Sequence, residues 1–390
     1  MLSVRLQKGK EKDILKGFPW AYSGDLVASS EHILAEAGEL AELRNARDEF
    51  IGIGTFNAAA PITFRMLTTK REIINSAFFE HRLKAALQKR EAPFSQPFYR
   101  LIHAESDALP GVIIDRFDSI IVMQISTAGM QLLLPHLIEA IHAVIHPTTI
   151  IFRNDIPARE QEGLVREIAV EGAPPLELVQ VHENGCIYLA DLLRGQKTGW
   201  FYDQRENHKL AAQFAAGKTM LDVYCYSGGF AMPAAKSGAQ VTLVDSSANA
   251  LGLAEKTAEL NGVTGRCIFR QGDAFGTMQA LAKEQNLFDV VIADPPAFIK
   301  SKAHIATGMQ GYARVARLAA ALVKHEGVMV VASCSHHAKR PHFRAAVLDG
   351  VKQAGKMATV LHFTGHDADH PIHPHLPQSE YLKALFLRIT

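Results

Sequence analysis

The chain has no CxxC pair. Its four cysteines, 186, 225, 267 and 334, are separated by 39, 42 and 67 residues. That spacing fits neither a zinc ribbon nor a disulfide scaffold and reads as reduced thiols. There is no apolar run of about 18 residues, which excludes a transmembrane helix. The opening MLSVRLQKGKEKDILKG has lysines but lacks the apolar stretch of a secretory signal. A surplus of one sign of charge is missing too: the formal net charge is +1, so any polyanion partner must be met by local charge. No internal repeat and no low-complexity tract is present. These absences leave a cytoplasmic globular protein, and 390 residues suffice for two or three domains.

What is present divides into three segments. Residues 1–72 hold short apolar stretches, LAELRNA and FIGIGTF, interrupted by Gly24, Gly38, Gly52 and Gly54, the pattern of a small β-rich module. Residues 73–190 open on NSAFFEHRLKAALQKRE, with Phe79, Leu83, Ala86 and Leu87 at helical spacing. GVIIDRFDSIIVMQIS follows as a strand pair and MQLLLPHLIEAIHAVI as a helix, which predicts a central α+β domain. Residues 191–390 alternate apolar strands with helices. TMLDVYC, QVTLVDSS, RCIFRQGD, FDVVIADPP, GVMVVASCS, MATVLHF and YLKALFLRI predict a seven-stranded, mostly parallel α/β sheet of Rossmann type, covered on both faces.

Ligands of such sheets bind beyond the carboxyl ends of the strands. Asp222, Asp245, Asp273, Asp294 and Cys334 all fall at or near those ends. The glycine turn DVYCYSGGFA is not GxGxxG, which argues against a dinucleotide. Asp245 can accept both hydroxyls of a ribose, Asp273 an adenine amino group, and Asp222 an ammonium. S-adenosylmethionine has that ammonium and NAD lacks it, so the acids favour S-adenosylmethionine. Tyr224, Ser227, Gly228 and Gly229 of the turn, with Ser246 after Asp245, complete the expected cofactor contacts. In ADPPAF, Pro295 and Pro296 fix the backbone and set Asp294 and Phe298 against a planar base. Lys300 and Lys302 follow, in a stretch (295–325) with five Lys/Arg and no acid. Residues 65–100 carry eight Lys/Arg against three Glu. Both stretches suggest phosphate contacts.

LDVYCYSGGFA, VTLVDSS, QGDAF, ADPPAF and VASCS, in this order, resemble the motifs of class I methyltransferases. More narrowly they are similar to the RlmI-like family, which makes 5-methylcytosine in large-subunit ribosomal RNA. The resemblance covers nearly the whole chain. GFPWAYSGDL and FNAAAPITFRML look like that family's N-terminal PUA domain; ESDALPGVIIDRF, RNDIPARE and GWFYDQREN resemble its central domain and the entry to its catalytic domain. It implies that Asp203, Gln204 and Arg205 lie near the methionine end of the cofactor. It also implies ribosomal RNA or a ribosome assembly intermediate as partner, with a homodimer compatible. The chain departs from the family at FNAAAPI, where a Pro-x-Ser is expected, and at SCSHHA, where the family has SCSGLM.

Carbon 5 of cytosine is a poor nucleophile until a thiolate adds at carbon 6, a covalent route that divides one hard step into easier ones. Cys334 and Asp294 close adjacent strands in the usual methyltransferase order, roughly 5 Å apart at the backbone, and can flank one pyrimidine. A free thiol is only a few per cent ionised at pH 7, at a cost of roughly 2 kcal/mol. His336, His337, Lys339 and Arg340 are the expected source of compensation. Cys334 next to two histidines could instead ligate a metal, but Cys-x-His is not a usual chelating spacing and no metal is expected. Cys186, Cys225 and Cys267 read as core thiols, and the five histidines between 362 and 375 as part of a proline-stiffened, lid-like loop. Two other readings of the same scaffold stand beside this one: a guanine N-methyltransferase, which needs no cysteine, and a non-catalytic RNA-binding assembly factor.

Overall fold

The computed structural model describes residues 1–299 and 301–390; Lys300, an expected substrate contact, lies outside the described residues. The chain forms two compact units. The first comprises Met1–Val179, Asp191–Trp200 and Ala368–Pro377, and the second Gln180–Ala190, Phe201–Asp367 and Gln378–Thr390.

In the first unit the glycine-punctuated N-terminal stretch forms a five-stranded sheet in the order Leu2–Arg5, Glu39–Arg44, Phe50–Phe56, Phe64–Thr68, Trp20–Ala21. Val4, Leu43, Phe56 and Phe64 fill its core. A second five-stranded sheet is ordered Ile168–Gly172, Thr149–Arg153, Ile120–Ile125, Val112–Phe117, Phe98–His103. Phe79 and Leu83 of the helix Ser76–Glu91 share a core with Ile114, Ile121 and Ile141. The Asn75 side chain caps that helix by accepting from the Phe78 amide. The stretch expected as a single helix after residue 129 is two helices, Ala128–Leu132 and Leu134–Ile145. Pro135 stands in the first turn of the second one. It has no N–H to give the preceding turn and is tolerated only near a helix start.

The second unit carries the seven-stranded sheet. After helix α1 (Arg205–Ala215) come β1 (Thr219–Val223), α2 (Ala231–Lys236), β2 (Gln240–Asp245), α3 (Ala248–Leu260), β3 (Cys267–Gln271) and α4 (Ala274–Lys283). Then follow β4 (Phe288–Ala293), α5 (Ile305–Ala321), β5 (Val323–Ser333), α6 (Arg340–Gln353), β6 (Ala358–Thr364) and β7 (Lys383–Ile389). The order is β3-β2-β1-β4-β5-β7-β6. Neighbours are parallel from β3 to β5, while β7 runs antiparallel to both β5 and β6. Leu221, Val291, Met329 and Leu387 lie in its core with Tyr312 and Phe343 from the covering helices. Burial on both faces is why these strands read as unbroken apolar runs. Among the described residues no helix is long and apolar enough to cross a membrane.

Candidate active site

The order reverses between β1 and β4, where a doubly wound sheet opens a crevice at its carboxyl edge. Asp222 stands there, 1% exposed, and among the described residues neither carboxylate oxygen has a side-chain hydrogen-bond partner. The Ala231 amide exerts only a minor pull on it. Burial first, then the nearby Asp294 and Asp245 carboxylates, hold its pKa well above the ordinary range. Isolated buried acceptors are costly, so this site is built to receive a donor, and a cationic one gains most. The ammonium of S-adenosylmethionine fits that requirement.

The surrounding turn is equally specific. Tyr224 and Tyr226 take positive φ, 66° and 49°, conformations that cost side-chain-bearing residues energy and cluster at functional sites. A Cβ on Gly229 would stand 2.6 Å from His208 Cε1, so only glycine fits. The Ser227 hydroxyl is fully buried and has no partner. Asp245 is held rigidly: Oδ2 accepts from the Tyr226 amide at 3.0 Å and Oδ1 from the Ser247 amide at 2.9 Å. Ser246 beside it is exposed. Asp273 is exposed and caps α4, its Oδ1 accepting from the Gly276 amide at 2.9 Å. Its charge also helps raise the Tyr224 phenol to about 12, after burial as the main cause. These residues together can hold S-adenosylmethionine.

Gln204 connects this half of the site to the other. Its Nε2 donates to Asp294 Oδ2 at 2.8 Å, and its Oε1 accepts from Asn207 Nδ2 at 2.7 Å. Asp203 Oδ2 accepts from the Tyr381 hydroxyl at 2.6 Å. Arg205 faces Glu183 and Asp367, each at 3.5 Å, and lies over the Tyr202 ring.

β4 and β5 are parallel neighbours, with Ala293 opposite Val331, so Asp294 and Cys334 leave the same sheet edge on adjacent strands, Cys334 further along than Asp294. Pro295 is buried, Pro296 exposed and Phe298 half-buried against Tyr312, ring centroids 4.9 Å apart. The segment lies close on α5 because glycines stand where it crosses. A Cβ on Gly308 would meet Ile299 Cγ1 at 2.3 Å. Lys302 is exposed.

The loop carrying Cys334 is tied down by residues that the sequence did not single out. Ser333 Oγ donates to the Tyr312 hydroxyl at 2.7 Å, and that hydroxyl lies 2.8 Å from Ser335 Oγ. Ser335 Oγ also accepts from the Ile299 amide at 3.3 Å, joining the cysteine loop to the proline loop. Lys383 Nζ donates to the Ser335 carbonyl at 2.8 Å. Cys334 itself is half-buried. By contrast burial pushes the thiols of Cys186, Cys225 and Cys267 upward, the last to about 11. Such thiols are poor nucleophiles.

Two charge expectations need correction. Arg340 does not serve the thiol: it donates to the Phe363 and Thr364 carbonyls, pairs with Glu380 and lies over the Phe363 ring. His336 Nδ1 is turned to the Gln378 carbonyl, 2.9 Å away. The 295–325 stretch is not one basic strip either. Lys324 pairs with Asp289 at the opening end of the sheet, 2.8 Å apart, and Arg314 lies over the Phe275 ring.

In the first unit, most charge in residues 65–100 is likewise internal. Arg65, Arg71, Lys84, Arg90 and Arg100 pair with acids. A cleft of about 740 Å³ with Phe18 and Ile73 in its wall collects the rest: Lys70, His81, Arg82 and Lys89. Its acids are engaged. Glu72 accepts from Thr68, Glu105 from Trp20 and Arg65, and Asp107 from Arg90. Among the described residues Lys70, His81 and Lys89 make no ion pair, so the cleft offers these side chains beside apolar surface. Among the described residues no group of three His, Cys, Asp or Glu is placed to hold a metal ion.

Residues 166–388 match the model of an S-adenosylmethionine-dependent methyltransferase family, and residues 4–69 that of a PUA-like domain. The ribosomal RNA large subunit methyltransferase I of Aeromonas hydrophila is 35% identical over 394 aligned positions, covering 99% of each chain. That of Photobacterium profundum is 34% identical over 98% of each. A solved methyltransferase complexed with S-adenosylhomocysteine superposes along the whole of both chains with a TM-score of 0.84 at 21% identity. A buried unpartnered acid beside a strained glycine turn, in a sheet of this order, accords with these matches: the chain belongs to the ribosomal RNA large subunit methyltransferase I family of S-adenosylmethionine-dependent methyltransferases.

Proposed function

We propose that this protein methylates carbon 5 of a cytosine in large-subunit ribosomal RNA through a covalent adduct on Cys334. One observation carries the reading: Asp294 and Cys334 end adjacent parallel strands, and their loops are joined through Ser335 and the Ile299 amide. A thiol and a carboxylate so fixed can flank one pyrimidine. S-adenosylmethionine, when bound, supplies an electrophilic methyl group for carbon 5.

The protein's own residues do the rest. The Cys334 sulfur adds to carbon 6 while N3 takes a proton from solvent, and Asp294 accepts the hydrogen bond of the resulting N3–H. Gln204 holds the Asp294 carboxylate in the orientation this requires. Loss of the carbon 5 proton to solvent then expels the sulfur as a thiolate, and the proton given up by N3 restores the thiol. Asp222 orients the donor's ammonium, and Asp245 its ribose hydroxyls. Phe298 packs against the base, while Lys302 and the cleft cations Lys70, Arg82 and Lys89 take phosphates. A guanine N-methyltransferase has no use for the thiol, and a binding factor none for a partnerless Asp222.

Undermethylated ribosomal RNA, labelled S-adenosylmethionine and nucleoside mass spectrometry test the proposal. Labelled 5-methylcytidine from the native chain and none from Cys334→Ala is the expected result. Methylguanosine, or undiminished activity in Cys334→Ala, contradicts it.

A further inference from the structure

Lysine is almost never fully buried without a charged partner. Lys383 opens β7 and is 1% exposed. Among the described residues no carboxylate lies within ion-pair distance of it. Its register partner across the antiparallel β5–β7 pair is Ser333, the residue before Cys334. Its Nζ donates to the carbonyl of Ser335 at 2.8 Å, the residue after Cys334. Lys383 is therefore held to both sequence neighbours of the thiol, by its backbone to Ser333 and by its amine to Ser335.

The surrounding groups leave the thiol as the matching anion. The cysteine loop supplies Cys334 and His336, and His336 is turned to the Gln378 carbonyl. The loop before β7 supplies Glu380 and Tyr381. The start of α6 supplies Arg340, which already pairs with Glu380 at 3.3 Å, so their charges largely cancel. α5 supplies Tyr312, held between Ser333 and Ser335.

We propose that Lys383 is the positioning residue that ionises Cys334, taking its thiol proton and holding the thiolate as an ammonium–thiolate pair. The S–H bond breaks, the proton goes to the Nζ lone pair, and sulfur keeps the electron pair that later bonds to carbon 6. No further reactant is needed. Burial lowers the Lys383 pKa to about 8, against a smaller opposing influence from Cys334. An amine so lowered can accept a proton near neutral pH. The inference rests on Cys334 being the nucleophile only for its consequence in methylation; the pairing is tested on the thiol directly.

The test is the rate of Cys334 alkylation by iodoacetamide in the full chain from pH 5.5 to 10, followed by peptide mass spectrometry. Native protein, Lys383→Met and Lys383→Arg are compared, with S-adenosylhomocysteine binding to verify folding. In native protein the rate should rise with an inflection below about 8.5, the value of a free thiol. Lys383→Met should move the inflection above that value and slow alkylation at pH 7 at least about tenfold, one unit of pKa. Lys383→Arg should keep the low inflection, because its charge remains beside the thiolate. An inflection unchanged in a folded Lys383→Met chain overturns the proposal. If that variant does not fold, an inflection at or above about 8.5 in native protein overturns it. Methylation surviving in Cys334→Ala would remove the nucleophile reading instead and leave the alkylation profiles standing.

Discussion

Gln204 donates to Asp294 across 90 residues of sequence, at 2.8 Å. Gln204 leads into the first helix of the second unit, and Asp294 follows the fourth strand of its sheet. The bond fixes the plane of the carboxylate that the proposed mechanism sets against the base. Gln204→Ala should slow single-turnover methylation about tenfold, the loss of one hydrogen bond to a charged group. Gln204→Glu should slow it further, because a second carboxylate beside Asp294 raises the cost of ionising either.

Asp222 is kept for binding at the expense of stability. Its folded pKa is raised above the unfolded value of 3.8, chiefly by burial, so the folded chain holds a proton that the unfolded chain releases. Stability therefore falls as pH rises from about 3.8 through the folded pKa. Asp222→Asn should remove that slope and make the cofactor-free protein about 1–3 kcal/mol more stable at pH 7. It should also weaken S-adenosylhomocysteine binding. Thermal melts against pH, with calorimetric titration, measure both effects.

Tyr312 bridges the two serines on either side of Cys334. Tyr312→Phe leaves their buried hydroxyls short of a partner, which costs about 1–3 kcal/mol. The melting temperature should fall by a few degrees, and methylation should slow because the cysteine loop loses its anchor to α5.

Lys70 and Lys89 line the cleft of the first unit without ion pairs. Reversing both to Glu should weaken binding of ribosomal RNA fragments and lower the slope of log affinity against log salt by about 1–2. S-adenosylhomocysteine affinity should stay unchanged.

All seven strands of the catalytic sheet were legible: the central ones, buried on both faces, read as apolar runs, and the exposed strands Cys267–Gln271 and Ala358–Thr364 followed from the alternation with helices. The acids at their carboxyl ends followed from chain order alone. Lys383 was not legible. In YLKALFLRI a lone lysine at a strand start reads as a solvated end, and only antiparallel pairing with β5 buries it beside the thiol. The reverse error arose with Arg340, close to Cys334 in sequence but turned to carbonyls and to Glu380 by the turn that follows. Counting charge along 65–100 and 295–325 misled for a similar reason: ion pairs such as Arg90–Asp107 and Lys324–Asp289 join residues far apart in the chain.

The covalent adduct is the central claim, and fluorine at carbon 5 tests it most directly. Fluorine cannot leave as a proton does, so addition and methylation proceed but the sulfur is not expelled. Large-subunit ribosomal RNA containing 5-fluorocytidine, incubated with the chain and S-adenosylmethionine, should give a denaturation-resistant protein–RNA complex. Digestion and mass spectrometry should place the nucleotide on Cys334, and Cys334→Ala should form none. Methylation of unmodified RNA without any trapped complex from the fluorinated RNA, or a trapped complex on another residue, would contradict the account.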